Sequence, residues 1–559
     1  MKKKFLAVFL VFIVVLPSIL PLFRSDFFRM HDYTHVARLH QLDKALKDGH
    51  FPPRWAKDLG WGYGMPLFNF YAPLPYYLGE VFHLLGFSFL NSIKIVFALT
   101  FFISFTGMFF LAKKFWGKWA GFLAAVAFVY SPYRAVDFYV RGALGELFGI
   151  ALLPWAVWAI FQLIEKKKIK FLLISSFILA TLFLSHTVLT LISFPFLLLI
   201  SFFYLFLCSQ KKKAFFYLLA SFLLGLGLSL FFLLPAYLEK QFTRVFTLTQ
   251  GFSHYSHHFL YFRQFVYGNW GYGGSVDSIP DLMSFHLGKG HLFLAFLTLG
   301  LVFLSFIQEK KIKKKTLIVG FFTSLILLLA FLATYHAQPV WDALPLMVYI
   351  QFPWRLNSLI IVLLAFLAGG GCFYLQKRIN KKIVFLFLLG SVLGLLKINS
   401  RYFRPEKYLD PQKHYYADEK SLKKSMSGII PDYVPLWVEK DPSEIALEDY
   451  RIIEGSLDIE VKESRTNRLL LQTSSSQPVK LQLNRFYFPG WQLFLDNQKI
   501  DFSYKNNNGI IKTSLPAGKH QLVLAFKRTK VRFWSEIASL VSLLILAVLG
   551  GKIAKKKIF

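Results

Sequence analysis

The sequence predicts a polytopic α-helical membrane protein with about 12 transmembrane helices and a C-terminal β-sandwich-like domain outside the membrane. The 559 residues are 55% hydrophobic and 18% aromatic, more than a soluble domain can hide behind a polar surface. Long apolar runs recur, and each can cross a hydrocarbon layer of roughly 30 Å as a helix. Near the C-terminus the pattern changes to short runs of alternating polar and apolar residues, which is typical of strands.

The positive charge follows the apolar runs. The net charge is +33, and the lysines cluster at 2–4, 113–118, 166–170, 211–213, 310–315, 377–382 and 552–557. Each cluster abuts an apolar run, and none forms a stripe interleaved with aromatic residues. We therefore expect signals that hold these ends in the cytoplasm, and no nucleic-acid partner.

The same charges set the predicted topology. We place spans near 5–23, 92–112, 119–135, 143–163, 170–185, 188–207, 214–236, 291–307, 316–335, 353–374, 382–398 and 533–551. With the N-terminus in the cytoplasm, as a retained first span, every lysine cluster and the C-terminus fall on the cytoplasmic side. Counting residues 66–86 as a span would invert this pattern, so we expect an interfacial or re-entrant helix there. Cys208 and Cys372 lie near lysine clusters and do not indicate a disulfide framework.

Three regions of the chain follow from this topology. Residues 1–398 form the transmembrane domain, with a large first outward loop at 24–91 and another at about 237–290. Residues 399–532 form the outer β-rich domain, because LLLQTSSSQPVKLQLNRFYF, WQLFLDNQKIDF and GIIKTSLPAGKHQLVLAFKR read as strands joined by turns. Residues 533–559 form the last span and a basic tail.

The stretch MHDYTHVARLH opens the first outward loop. A helix over 32–48 would place Val36, Leu39, Leu42 and Leu46 on one face and Gln41, Lys44 and Asp48 on the opposite, solvated face. Asp32 and His35 project with the apolar face, where a carboxylate needs a partner or a task. Asp32 is either the N-cap of this helix or a functional group. His31, Asp32 and His35 also have a spacing that could hold a metal ion.

Several segments resemble a known family. They are MHDYTHVARL, GHFPPRWAKDLGWGYGMPLFNFYAPLPYY, YVRGALGE, IQFPWRLN, DYVPLWV and FYFPGWQLFLDNQKI. The chain resembles the pyruvoyl-tetrahydropterin-synthase-related bacterial membrane proteins, which are similar to lipoteichoic-acid glycosylating membrane proteins. Its first loop resembles that of GT-C superfamily polytopic glycosyltransferases. The sequence has no domain that would carry the pterin chemistry of the family name.

The resemblance implies a reaction and its acids. GT-C enzymes pass a sugar from a polyprenyl-phosphate carrier to an acceptor hydroxyl on the outer face, with inversion at the anomeric carbon. By similarity Asp32 is the general base, and we expect its pKa to be raised near lipid. Asp137 matches a second acidic residue of such enzymes, with Glu146 as the alternate. Asp137 could instead simply pair with Arg134 or Arg141.

The resemblance also implies substrate-binding residues. Arg355 and then Arg141 are the candidates for the donor phosphate, because arginine makes forked contacts with phosphate oxygens. Arg355 could also be an interfacial arginine in an aromatic belt. The other substrate-binding candidates are Arg134, His35, His186, Trp55 and Tyr71. Trp55 and Tyr71 could stack on a sugar or anchor the loop among headgroups.

The predicted function is inverting sugar transfer to a cell-envelope glycan, lipid or protein at the outer face of a bacterial cytoplasmic membrane. No cofactor is certain, and a divalent cation (Mg or Mn) remains open, since His-Asp stands where many relatives have Asp-Glu. Two other functions also remain open. A transporter or flippase of lipid-linked glycan would carry charges in mid-span and inverted repeats, whereas a non-catalytic envelope assembly factor would depend on residues 399–532 rather than on Asp32.

Overall fold

Long apolar helices form most of the molecule, and a β-rich region is packed against one end of them. The computed structural model describes residues 2–276, 282–410 and 433–558. Parts of the predicted third outward region (277–281) and of the predicted β-rich domain (411–432) lie outside the described residues.

The helices correspond to the apolar runs. In chain order they are α1 Lys2–Ile19, α2 His35–Lys47, α3 Leu67–Phe70, α4 Leu74–Leu84, α5 Phe89–Trp116, α6 Lys118–Val129, α7 Pro132–Ala135, α8 Leu144–Lys166, α9 Ile169–Phe183, α10 Thr187–Phe206, α11 Lys211–Leu238, α12 Lys289–Glu309, α13 Lys314–Leu332, α14 Gln338–Ala343, α15 Asn357–Leu375, α16 Lys381–Asn399 and α17 Lys530–Ile558. Within the described ranges, 9 helices are long and apolar enough to cross a membrane, and three shorter apolar segments lie at Phe9–Phe23, Lys118–Val129 and Ile169–Phe183. Each predicted span overlaps one of these segments, while the number of spans and their direction stay predictions.

Small residues let the central helices approach closely. α15 carries the run Gly369 to Gly371, and a Cβ atom on Gly369 would lie 2.5 Å from the carbonyl oxygen of Ala120 on α6. A Cβ atom on Gly370 would lie 2.7 Å from the Thr298 methyl group on α12. Packing of this kind, with backbones in near contact, is how helices associate where lipid replaces water. It makes α15 the buried centre of the helical region.

The predicted span 119–135 is shorter in the structure. α6 ends at Val129, α7 follows, and residues Val136–Val140 form a π-helical turn. A π turn closes with a hydrogen bond between residues five apart and is frequently found at functional sites. Here it closes with the amide of Arg141 donating to the carbonyl oxygen of Val136 at 2.9 Å, and it carries Asp137.

The first outward loop differs from its predicted form. α2 begins at His35 rather than at residue 32, and its polar side is covered instead of solvated. Gln41 is buried and donates to Asp58 at 2.8 Å, and Lys44 pairs with the same carboxylate at 2.8 Å. Asp48 accepts from the backbone amide of Thr466, in the β-rich region, at 2.6 Å. The solvated face was therefore a wrong prediction, because protein that is distant in sequence lies against it.

The apolar segment 66–86 forms a short helix. α4 has 11 residues, too few to cross a bilayer. Val81, Leu84, Leu85 and Phe87, at and beyond its C-terminal end, are exposed. Exposed apolar side chains on a short helix fit the predicted interfacial position, and its depth in the membrane stays a prediction.

The C-terminal region forms two antiparallel sheets. The strands, with a small pair near the first loop, are β1 Phe27–Phe28, β2 Tyr408–Leu409, β3 Tyr450–Glu454, β4 Asp458–Arg465, β5 Arg468–Ser475, β6 Val479–Phe486, β7 Trp491–Leu495, β8 Gln498–Ile500, β9 Ile510–Leu515 and β10 Gly518–Phe526. One sheet has the order β4-β5-β10-β7-β8, the other β3-β6-β9, and β1 pairs with β2. Inward side chains of both sheets meet in one core, as in a sandwich. The quoted strand motifs fall on β5 to β10.

The core of the sandwich includes the first outward loop. Trp55, Tyr63 and Phe70 lie in the same apolar cluster as the inward side chains of the sheets. α17 is tied to the loop and to α11 as well, since the buried Glu239 accepts from Asn69 at 2.7 Å and from Arg532 at 2.9 Å. The chain division at 398 and 532 stays a prediction, but the loop and the sandwich pack as one body.

Candidate functional site

Backbone hydrogen bonds join the first outward loop to the segment after the π turn. The amide of His31 donates to the carbonyl oxygen of Val140 at 2.9 Å, and the amide of Asp32 donates to that of Arg141 at 2.8 Å. Gly142 follows with a φ of +64°, a conformation that favours glycine. These bonds hold Asp32 and Arg141 side by side.

Asp32 lies in a network of donors. Arg38 Nη1 donates to Oδ2 at 2.9 Å, the Tyr71 hydroxyl donates to the same oxygen at 3.0 Å, and the Thr34 hydroxyl donates to Oδ1 at 3.0 Å. Arg38 also packs over the ring of Tyr71, 4.0 Å from its centroid. The N-cap of α2 is Thr34, not Asp32. The capping alternative is therefore wrong, and the carboxylate serves this network instead.

The charge of Asp32 is stabilised. Burial alone would raise the pKa of its carboxyl group, but the Arg38 guanidinium, with smaller contributions from the hydrogen bonds of Arg38 and Thr34, holds the pKa well below its usual range. The expected raised pKa is wrong for the protein in this state. The reason is Arg38, which lies one helical turn into α2. Its pairing with Asp32 could not be read from the sequence.

His35 is a structural residue here. It is buried, its Nε2 donates to the carbonyl oxygen of Gly142 at 2.6 Å, and its Nδ1 accepts from the Tyr76 hydroxyl at 2.8 Å. It does not line the cavity described below, so the predicted substrate contact is corrected. His31 does line it, with Nε2 donating to the carbonyl oxygen of Tyr272 at 2.9 Å.

The predicted metal trio does not fit a metal ion as it is arranged. Both ring nitrogens of His35 are engaged and Asp32 is paired with Arg38. Across the residues that the structure describes, no three His, Cys, Asp or Glu side chains are grouped to hold a metal. A requirement for a divalent cation stays an open prediction.

Arg141 and Arg355 share one buried carboxylate. Glu146 Oε2 lies 2.8 Å from Nη1 of Arg141 and 3.3 Å from Nε of Arg355. Arg141 also pairs with Asp137, and both acids are fully buried behind the arginines. Arg355 is held further by the carbonyl oxygen of Ile350 at 2.8 Å. Two cations are thus fixed at one place, although Arg141 and Arg355 are far apart in sequence.

This arrangement does not bring the second acid to the cavity. Asp137 and Glu146 do not line it, and a catalytic role for either stays a prediction. They hold Arg141 and Arg355, which do line it. Arg134 is also corrected as a substrate-binding residue, because it is buried away from the cavity with its guanidinium over the rings of Phe101 and Phe128.

A central cavity of about 790 Å³ brings the remaining candidates together. Its polar lining includes Asp32, Tyr71, Arg141, His186 and Arg355. Its apolar lining comes mainly from α10, α11 and the segment before α15, through Val188, Leu191, Leu233, Ala236 and Leu346. Acidic and basic groups therefore face one space that is apolar on the side of the helices.

His186 has a defined protonation state. It is the N-cap of α10, and its Nδ1 accepts from the amide of Leu189 at 3.0 Å. Burial lowers its pKa to about 4, while the Glu146 carboxylate opposes the shift. Neutral histidine that accepts at Nδ1 carries its proton on Nε2. Nε2 is therefore the donor that His186 can offer in the cavity.

Three polar or charged residues that line the cavity were not among the candidates from the sequence. Arg38 and Gln351 stand inside the quoted motifs MHDYTHVARL and IQFPWRLN, and Gln351 accepts from Arg355 Nη1 at 3.0 Å. Lys240 extends over the rings of Tyr237 and Tyr349, at 4.7 and 4.1 Å. The motifs could have indicated the first two, whereas Lys240 carried no signal.

The predicted role of Trp55 is corrected, because this residue does not line the cavity. It is buried and edge-on to Trp491, with ring centroids 5.4 Å apart, and it packs near Phe526 at 5.5 Å. It contacts neither a headgroup layer nor the cavity, because it belongs to the core of the sandwich. Tyr71, in contrast, lines the cavity beside Asp32.

Comparison with known proteins places this site in context. The chain is 29% identical over 237 residues to an uncharacterised protein of Lactococcus lactis subsp. cremoris, a match covering 41% of this chain and 38% of that one. It is similar to the apo oligosaccharyltransferase of Archaeoglobus fulgidus with a TM-score of 0.47 and 12% identity, covering 77% of this chain and 61% of the other. It is similar to the arabinofuranosyltransferase AftD from Mycobacteria with a TM-score of 0.41 and 15% identity, covering 73% of this chain and 28% of the other. These overall likenesses are too low to carry an argument.

The sequence model of the 6-pyruvoyl-tetrahydropterin synthase related domain, described as a membrane protein, matches residues 68–400. The match includes the motifs YVRGALGE and IQFPWRLN, and it confirms the family resemblance of these motifs. Because it covers more than half of the 559 residues, the chain belongs to the 6-pyruvoyl-tetrahydropterin synthase related family of membrane proteins.

Proposed function

We propose that this protein is an inverting glycosyltransferase. It moves a sugar from a polyprenyl-phosphate donor to a cell-envelope acceptor at the outer face of a bacterial cytoplasmic membrane. The observation that carries the proposal is that one cavity is lined by a carboxylate, Asp32, and by the paired cations Arg141 and Arg355. The motif resemblance to GT-C enzymes supports the same reaction.

The two arginines suit the leaving phosphate. Breaking the bond between the anomeric carbon and the phosphate oxygen leaves negative charge on the phosphate, and preorganised cations stabilise that charge. Arg141 and Arg355 are preorganised because Glu146 and Asp137 hold them from behind. His186 and Lys240 line the same cavity and add a neutral donor and a further cation.

Asp32 suits the acceptor hydroxyl. It is a proton acceptor throughout the physiological range because its pKa is low. Its two oxygens offer about four lone-pair directions, of which Oδ2 uses two and Oδ1 one. Oδ1 can therefore accept from a substrate hydroxyl while Arg38 keeps its place. The proton passes to Asp32 as the hydroxyl oxygen attacks the anomeric carbon and the carbon–phosphate-oxygen bond breaks, which inverts the carbon.

The apolar side of the cavity suits a lipid carrier. Leu191 and Leu233 line it between α10 and α11, and Tyr237, Phe252 and Leu346 are exposed where it opens. Apolar groups around a polar cavity let a long hydrocarbon chain stay in the bilayer while its phosphate enters. The cavity then lies at the outer membrane surface, with both termini in the cytoplasm as the lysine pattern predicts.

The test compares two matched aspartates. Asp32 is 27% exposed and pairs with Arg38 at 2.9 Å, while Asp26 is 30% exposed and pairs with Arg24 at 3.0 Å. Asp32 alone of the two lines the cavity. Purified wild type, Asp32→Asn and Asp26→Asn are assayed for sugar transfer from a polyprenyl-phosphate donor to extracted envelope acceptors.

We expect Asp32→Asn to lose at least 100-fold in rate, about the lower limit for a general base, and Asp26→Asn to match wild type. Retained activity in Asp32→Asn would remove the base assignment. Donor lipid that crosses the membrane without any sugar transfer would favour the flippase instead.

A further inference from the structure

A second pocket lies at the other end of the helical region. It has a volume of about 260 Å³ and lies where α12 ends, α13 begins and α15 ends. Arg355 lies two positions before the first residue of α15, and Lys377 lies two positions after its last. The 19 residues of this helix span about 28 Å. This basic pocket is therefore separate from the central cavity by about the thickness of a hydrocarbon layer.

Lysines dominate the lining of the basic pocket. Lys311, Lys313, Lys314, Lys315 and Lys377 line it, against a single carboxylate, Glu309. Glu309 is paired with Lys313. Five positive charges less one negative charge leave four positive charges around a small volume. Like charges this close repel each other, and an anion between them would relieve the repulsion.

Aromatic rings orient two of these lysines. The Lys315 ammonium lies 3.5 Å from the centroid of Phe373 and 5.6 Å from that of Trp116. Lys377 lies over Phe373 and Tyr374, at 4.8 and 5.8 Å. Cation–π contacts orient an ammonium group but do not neutralise it. The pocket thus has a positioned set of donors above an aromatic floor.

A topology signal does not require this arrangement. Lysines that keep a helix end in the cytoplasm act through their place in the chain. Lys212 and Lys213, at the start of α11, are such residues; their side chains are exposed, as are those of Lys311, Lys313, Lys314 and Lys377, but they do not line the basic pocket. The lysines of the basic pocket instead come together from the α12–α13 connection, the start of α13 and the segment after α15, so that several ammonium groups line one pocket.

The surroundings identify the anion as part of a lipid. Phe303, Ile307, Ile312 and Leu317, close in sequence to the pocket lysines, are exposed and apolar. Acyl chains can lie along such side chains while the headgroup phosphate enters the pocket. Basic pockets between membrane helices are known to bind anionic headgroups. We propose that the basic pocket is a binding site for the phosphate headgroup of an anionic phospholipid, independent of the sugar-transfer site.

The test uses purified protein in detergent and two matched variants. Lys315→Gln with Lys377→Gln removes two charges from the pocket, and Lys212→Gln with Lys213→Gln removes two from the start of α11. Binding is followed by the rise in Tm with added phosphatidylglycerol, against phosphatidylcholine and inorganic phosphate. Native mass spectrometry counts the lipids that stay bound.

We expect phosphatidylglycerol to stabilise wild type and the α11 variant alike. Its affinity for the pocket variant should fall about 30-fold, because each lysine near an anionic lipid contributes about 1 kcal/mol and 1.4 kcal/mol is a factor of 10. An equal response of the two variants would overturn the proposal. So would equal stabilisation of wild type by inorganic phosphate or phosphatidylcholine. If the pocket variant does not fold, the lipid count on wild type decides. Wild type that retains no phosphatidylglycerol would then refute the site.

Discussion

Gly142 lies where the segment after the π turn meets the loop that carries Met30 and Asp32. Its φ is +64°, and a Cβ atom there would lie 2.0 Å from Sδ and 2.6 Å from Cγ of Met30. Met30 is buried, so its side chain has little space to move aside. The carbonyl oxygen of Gly142 also accepts from His35. A change at Gly142 therefore disturbs the segment that positions both Asp32 and Arg141.

The expected cost of Gly142→Ala has two parts. Placing alanine in a left-handed conformation costs roughly 1–2 kcal/mol, and overpacking a buried site costs roughly 1–3 kcal/mol more. The sum is roughly 2–5 kcal/mol. Gly49→Ala is a matched control, since Gly49 has a φ of +76° and nothing within 4 Å of its Cβ position. The control should lose only the first part.

The assay is thermal unfolding in one detergent, followed by the amount of monodisperse protein after heating. We expect Gly142→Ala to unfold at a clearly lower temperature than Gly49→Ala. Met30→Ala in the Gly142→Ala background should recover part of the difference, because it removes the clashing atoms. Equal losses in the two glycine variants, with no coupling to Met30, would refute the described packing.

Three further predictions concern the network and the sandwich. Arg38→Gln should raise the pKa of Asp32, because the guanidinium that opposes the effect of burial is gone. A protonated Asp32 cannot accept the proton of the hydroxyl group. The activity of the variant should therefore fall at the acid end of the pH profile, where the profile of wild type is flat. Glu146→Gln should weaken donor binding and lower stability by about 3–5 kcal/mol, as for a broken buried ion pair, measured by donor titration and thermal unfolding. Trp55→Ala should lower stability by about 3–5 kcal/mol and expose the sandwich to limited proteolysis.

Each of these changes has a matched control. Arg24→Gln removes an exposed partner of Asp26 and should leave the pH profile unchanged. Glu165→Gln breaks a partly exposed pair with Lys114, which should cost about 1 kcal/mol or less. Trp119→Ala removes an exposed ring. If a variant and its control behave alike, the role given to the buried residue is contradicted.

The helices and strands could be predicted because their signals are local. An apolar run of sufficient length or an alternating run is complete within a few residues, as at α15 and β10. α6 is shorter than predicted, since it ends at Val129, before Ser131, Pro132 and Arg134, and a separate short helix follows.

The site could be predicted only in part because its contacts join distant residues. Arg355 and Glu146 are 209 positions apart, and Asp48 meets Thr466 across 418. Motif resemblance placed Asp32, Arg141, Arg355 and Tyr71 among the candidates, the position of His186 between two predicted spans added that residue, and all five line one cavity. It could not show that Arg38 pairs with Asp32, or that Asp137 and Glu146 lie behind the arginines.

A structure with bound polyprenyl phosphate tests the central claim most directly. The account predicts that the phosphate lies against Arg141 and Arg355, with the carrier chain along the apolar side of the cavity. It also predicts that the Asp32 carboxylate lies within about 10 Å of the phosphate, near enough for an acceptor hydroxyl to bridge them. A phosphate bound elsewhere, or farther than this from Asp32, would contradict the assignment of the cavity as a sugar-transfer site.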